Sequence, residues 1–377
     1  MSAVPSPLDR RAGHLMGGRA RRAAMLWLER PFAPRAQTRM LIYYRGTAIC
    51  WSQVYPFLHY ARAFAERYGA SIRFRPMADF LAHTPGPAAD VILVQPWFTE
   101  NPDSLSQAFD ALATRQPEAV IGFLDSFAHN DLRLGRAAAP YIHHYLKKSL
   151  FKDRANYLRD FVGDTNLTQY YGTLYGIDQG DPVAWQVPPD LLDRLRLSPN
   201  FFTAPRFLDA FSEAGPATGP RPIDVQSRLG AKGSPWYSAM RQDAQTRIEA
   251  IAGLTLSPPG KLALPDFMAE LEGAKLCFSP FGYGELCWRD VEAFQTGAVL
   301  IKQDMGHLET LPDLYEAGVT YLPVRWDFED LEEVVRGALA DEEMRRTIAQ
   351  NAYTRTARYI EEARFVDDMG FLFDPRS

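Results

Sequence analysis

Cysteine is scarce. The 377 residues hold three, Cys50, Cys277 and Cys287, too few and too scattered for a disulfide framework or a thiolate metal cluster. The odd count fits a reducing compartment. Long apolar runs are missing as well. None approaches the ~20 residues that a membrane-spanning helix needs. Residues 23–28 form too short an apolar core for a secretion signal, and charge follows it. No repeat of solenoid period is present. Positive charge is outnumbered everywhere but at one end. Residues 1–39 carry eight arginines against Asp9 and Glu29, a net of +6; the whole chain is −5, which leaves −11 for residues 40–377. An acidic body excludes a nucleic-acid footprint. The expected location is cytoplasmic. The basic arm, with Met25, Leu26, Trp27 and Leu28 beside it, reads either as a solvated, flexible tail or as a peripheral contact with an anionic membrane face.

Aromatic residues are plentiful: 23 Phe, 17 Tyr and 7 Trp. They suit a large core or a sugar-stacking cleft. The length allows two domains. After an arm over 1–38, apolar runs at 40–44, 71–75, 90–95 and 119–124 read as strands. Helical segments at 53–68 and 103–114 alternate with them. That alternation predicts a parallel, doubly wound α/β sheet, with ligands outside the carboxyl ends of its strands. Asp125 falls at that rim, with His129 and Asp131 just after it. The segment 141–154 is basic and aromatic. His143 and His144 are adjacent and face apart, a poor metal pair. Lys147, Lys148, Lys152 and Arg154 read as a solvated helix face or as the lining of an acidic-ligand cleft. Residues 213–222, EAGPATGPRP, read as a linker. The expected division is an N-terminal domain over 39–210, a second over 211–355, and a helix and tail over 356–377 that return toward the first.

The second α/β unit starts at Ile223. Its first loop holds Arg228 and Lys232 among glycines, a surface loop or a pyrophosphate contact. The densest pattern is 274–304, AKLCFSPFGYGELCWRDVEAFQTGAVLIKQD. It predicts a strand, a turn through Gly282, Tyr283 and Gly284, a helix over 285–295, a stop at Gly297 and a second strand. On that helix Glu285, Arg289 and Glu292 share a face. Two readings stand at this point. One is a solvated ion-pair ladder. The other is an anion site at the helix start, suited to a nucleotide diphosphate and its ribose.

The run FSPFGYGELCWRDVEAFQTGAVLIK resembles the C-terminal domain of exostosin-like and CAP10-like glycosyltransferases of GT-B architecture. The matching positions are Gly282, Gly284, Arg289, Glu292, Gly297 and Lys302, within about 270–330. The resemblance implies two Rossmann-like domains facing a cleft and a donor site in the second. Arg289 would contact the diphosphate and Glu292 the ribose. Arg228, Lys232 and Lys302 would add charge, and Tyr283 and Glu285 would line the site. Glu285 and Glu292 have six residues between them, where a familiar retaining pattern has seven. The implied activity is sugar transfer from a nucleotide sugar to a glycan or glycolipid acceptor, as in cell-surface polysaccharide or lipopolysaccharide synthesis. Asp125 is the first choice as general base, with Asp131 and His129 in reserve; the alternative for Asp125 is a turn or helix-capping residue. No DxD motif stands in a suitable loop, so neither metal nor other cofactor is expected. Two other classes remain: a non-catalytic nucleotide-sugar or glycan-binding protein of the same fold, and another two-domain sugar-nucleotide enzyme. The missing dinucleotide glycine fingerprint at 45–52 counts against the last.

Overall fold

The computed structural model describes residues 31–211 and 215–373. The arm over residues 1–30, and with it the membrane contact, lies outside the described residues. Strands β1 (Thr38–Tyr44), β2 (Ala70–Pro76), β3 (Val91–Val94), β4 (Val120–Asp125) and β5 (His144–Lys147) are parallel. Three short strands follow: β6 (Ser149–Phe151), β7 (Phe161–Val162) and β8 (Pro182–Val183). Then β9 (Leu195–Leu197) closes a six-stranded sheet in the order β2-β1-β3-β4-β5-β9. The order reverses at β1, as in doubly wound folds. All four residues of β3 are buried, because helices cover both faces of a parallel sheet.

The second sheet is also parallel. Its strands are β10 (Ile223–Gln226), β11 (Ala274–Phe278), β12 (Val299–Gln303) and β14 (Leu322–Val324), with β13 (Leu308–Thr310) outside it. The fold is therefore the expected α/β pair of parallel sheets. Both domains meet along a seam. There β13 pairs antiparallel with β6, Leu308 opposite Phe151. The last helices close the far side. Tyr60 Oη donates to Ile360 O at 2.9 Å, and Phe365 packs on Phe57 at 4.9 Å.

Three local expectations change. Residues 53–68 form two helices, Ala48–His59 and Ala61–Tyr68, because Tyr60 leaves helical geometry (φ −95°, ψ 18°). The basic segment 141–154 is mainly strand rather than solvated helix: β5 with Lys147, β6, and Lys148 in the bend between them are all buried. Lys147 is buried because it lies in register with Asp125 on β4, which neutralises it. The helix expected over 285–295 is Trp288–Thr296. It starts later because Asp290 turns back to accept Cys287 N at 3.0 Å and fixes the first turn there.

Gly284 sits where the two domains touch. A Cβ there would stand 1.8 Å from Ala128 O. Backbone on both sides leaves no flexible atom to yield. Gly284→Ala is expected to push the domains apart and lower the melting temperature by several degrees. An unchanged melting curve and scattering radius would contradict the closed seam.

Candidate functional site

The site is the turn after β11 and what faces it across the seam. Asp290, fully buried, anchors the turn. It accepts Ser279 Oγ at 2.7 Å, Tyr315 Oη at 2.8 Å and Cys287 N, and pairs with Lys302 at 3.2 Å. Lys302 also donates to Ser279 O at 3.1 Å. Its charge is thus matched inside the fold. Phe281 N donates to Gln303 Oε1 at 2.9 Å, and Gly282 N to Gly284 O at 2.9 Å. The loop is held rigid from both ends.

Several cations around this turn have no acidic partner among the described residues. Arg241, from the helix Pro235–Ala250, is 7% exposed, and its Nε is buried without a hydrogen bond. Its guanidinium lies over Tyr237 at 5.2 Å, and one end is 3.9 Å from where a Cβ on Gly282 would stand. Burial pulls its pKa below the ordinary arginine value. Arg289 donates to the backbone carbonyls of Arg228 and Phe278, and its Nε is also unpartnered. From the first domain, Lys148 is 1% exposed, lies over Phe201 at 4.6 Å, and has no hydrogen bond for Nζ. A buried cation without a partner is costly; Arg241 and Lys148, with the partly buried Arg289 beside them, leave positive charge without an acidic partner about one rigid turn.

Lys148 carries that cost in its protonation. Burial, then the neighbouring Lys147, bring its pKa down to about 8 from 10.5. Between those values the unfolded chain binds more protons than the folded one. Stability therefore rises with pH across about 8 to 10.5. Lys148→Met should be more stable than wild type at neutral pH, with the difference shrinking through that window in urea titrations. A pH-independent difference would contradict an uncompensated charge.

Glu285 is the one carboxylate in the turn, 1% exposed. Its Oε1 accepts Asn166 Nδ2 at 3.1 Å and faces His307 Nε2 at 3.3 Å, while Oε2 is buried without a partner. Burial pushes its pKa up, but the His307 hydrogen bond and charge, with Asn166, outweigh that and hold it below the usual range.

The other sequence candidates divide clearly. Asp125 is fully buried; it accepts Lys147 Nζ at 2.6 Å, Tyr145 Oη at 2.8 Å and Phe127 N at 2.8 Å. Asp131 accepts Arg133 Nε at 2.8 Å. Burial raises its pKa, but the Arg133 guanidinium overrides this and keeps it low. His129 stands edge-on to Tyr283 at 5.8 Å with Nδ1 unpartnered; burial and then Arg133 lower its pKa. Tyr283 stacks on Tyr237 at 4.7 Å. Glu292 pairs with Arg206 at 2.6 Å, and Arg228 with Glu270 at 2.6 Å. Lys232 is exposed. The turn, Arg289, Glu285 and His129 thus come together. Glu292, Arg228 and Lys302 are tied to other partners. Sequence reasoning missed Arg241, Asn166 and Asp290, and passed Lys148 as a surface cation. Among the described residues no three His, Cys, Asp or Glu side chains group as a metal site, and no helix is long and apolar enough to cross a membrane.

No protein-family model and no curated protein matches the chain. Solved structures of similar chain path include S. aureus TarM, crystallised as a mutant with fondaparinux, alpha-GlcNAc-glycerol and UDP. It shows 9% identity and a TM-score of 0.44 over 79% of this chain and 59% of that one. A GtfA/B complex gives 14% and 0.44 over 78% and 58%. Sucrose-phosphate synthase from Thermosynechococcus elongatus gives 13% and 0.42 over 89% and 98%. The chain spans less than two thirds of the length of the first two. At such identities the likeness is one of chain path alone.

Proposed function

We propose that this chain is a glycosyltransferase. It moves a sugar from a nucleotide-sugar donor to a glycan or glycolipid acceptor, of the kind used in cell-surface polysaccharide or lipopolysaccharide synthesis, without a metal. The observation that carries the reading is the set of cations without an acidic partner, buried Arg241 and Lys148 and partly buried Arg289, around the rigid turn after β11. Leaving-group departure puts negative charge on a diphosphate, and fixed cations in a site shielded from water stabilise it without reorganising. Arg289 and Arg241 take the diphosphate. Glu292, whose Oε1 is occupied by Arg206, offers Oε2 to the ribose hydroxyls. The nucleoside takes the neighbouring 680 Å³ cavity beside Ser227, Arg228 and Leu229. Asp125 and Asp131 keep the first domain's rim in shape through their ion pairs. A non-catalytic binding protein would bind the same donor but leave it intact.

Hydrolysis of UDP-, GDP-, CMP- and dTDP-linked sugars tests this. At least one should be cleaved, at the same rate with excess EDTA. Binding without cleavage would favour the non-catalytic alternative, and loss of activity in EDTA would remove the metal-free part.

A further inference from the structure

A cavity of about 520 Å³ opens on the seam beside the turn. Its walls include Phe151, Phe161, Asn166, Tyr170, His307 and Trp326. Leu174, also on its wall, and Leu158 nearby are 42% and 48% exposed. Asn166 and His307 are the two side chains that hydrogen-bond Glu285, so the cavity and the turn share one carboxylate. His307 is fixed by Trp326 at 4.9 Å and Phe151 at 6.3 Å as well as by Glu285. Sugar rings present apolar faces that pack on aromatic walls, and their hydroxyls need polar groups at defined points.

We propose that this cavity binds the saccharide acceptor and that His307 is the general base that activates its hydroxyl. The proposal rests on the glycosyltransferase reading above and adds the acceptor site and the base. The tautomer follows from the geometry. Glu285, ionised and buried, accepts a hydrogen bond from Nε2–H, which leaves Nδ1 with the free lone pair. The acceptor oxygen attacks the donor's anomeric carbon. Its proton goes to Nδ1, the bond from the anomeric carbon to the phosphate oxygen breaks, and the electron pair leaves on the diphosphate. Direct attack of this kind inverts the anomeric carbon. Glu285 is a positioning residue: it sets the tautomer and stabilises the imidazolium that forms. The charged groups about His307 are Glu285 behind it, Arg159 across the cavity, Lys152 opposite it on the facing segment, Asp304 on its own loop and Glu309 on β13, the last paired with Arg154.

The test uses the full chain, the nucleotide-sugar panel, and p-nitrophenyl glycosides as acceptor probes, with water as acceptor where none is taken. His307→Ala should lose about 10²–10⁴-fold in kcat at unchanged donor KM, and free imidazole should restore part of it. His307→Gln should lose as much without rescue, and the acid-side fall of the wild-type pH profile should vanish. Glu285→Gln should lower kcat with donor KM unchanged. The product should carry the inverted anomer. Wild-type kcat in both His307 variants, or a retained anomer, would overturn the assignment while leaving the transferase reading standing. If no nucleotide sugar is consumed by the wild type or raises its melting temperature, both fall.

Discussion

Asp125→Ala is expected to cost about 3–5 kcal/mol of folding stability. The carboxylate is fully buried and lies 2.6 Å from Lys147 Nζ, itself fully buried. Truncating it strands the ammonium between β4 and β5 and leaves Tyr145 Oη and Phe127 N without their acceptor. The strands are in register at this pair, so neither can slide to relieve it. Lys147→Met should cost less, since Asp125 keeps two donors and can take a proton. The double variant Asp125→Leu, Lys147→Met should recover most of the loss, because a matched apolar pair removes both desolvation costs. Urea unfolding of the four proteins decides it. A double variant no better than Asp125→Ala would contradict the account of this pair.

The second large effect is on activity. Arg241→Met should lower kcat/KM for the donor by about 10²–10³-fold, the size seen when one preorganised donor to a developing anion is lost. Methionine keeps the apolar stem as far as the position of Nε and removes the guanidinium over Tyr237. The same variant should be as stable as wild type or more so, because it removes a buried charge that has no partner. That opposition separates a functional cation from a structural one. A variant that loses stability and activity together would place Arg241 in the scaffold.

The sheet of the first domain was readable because parallel strands buried on both faces leave apolar runs, as 90–95 and 119–124 do. β5 was not. His144 and Lys147 disguise it, and the cause of their burial, the neighbouring Asp125, is remote in sequence. The turn at 282–284 was legible from its two glycines, which permit a close approach. Its neighbour, Ala128 of the other domain, was not, since a steric need for glycine does not name what comes near. The helix start was misjudged because Cys287 is not a usual capping residue, although Asp290 three positions on was a signal. Arg241 could not be singled out. It sits mid-helix among Asp243 and Arg247, which pair with each other and leave it out. Only three-dimensional bookkeeping of partners distinguishes it. Lys148, between β5 and β6, illustrates the same limit.

The central claim is a nucleotide-diphosphate site at the seam, made by the turn and the cations around it that lack an acidic partner. Its most direct test is the thermal shift of wild type and Arg241→Met with UDP, GDP, CDP and dTDP in EDTA. A ligand that binds only the folded state stabilises it by about 2.7 kcal/mol at 100 times its Kd. At least one diphosphate should raise the melting temperature of the wild type by several degrees and leave Arg241→Met nearly unmoved. Equal shifts in both proteins, or no shift in the wild type with any of the four, would contradict the site.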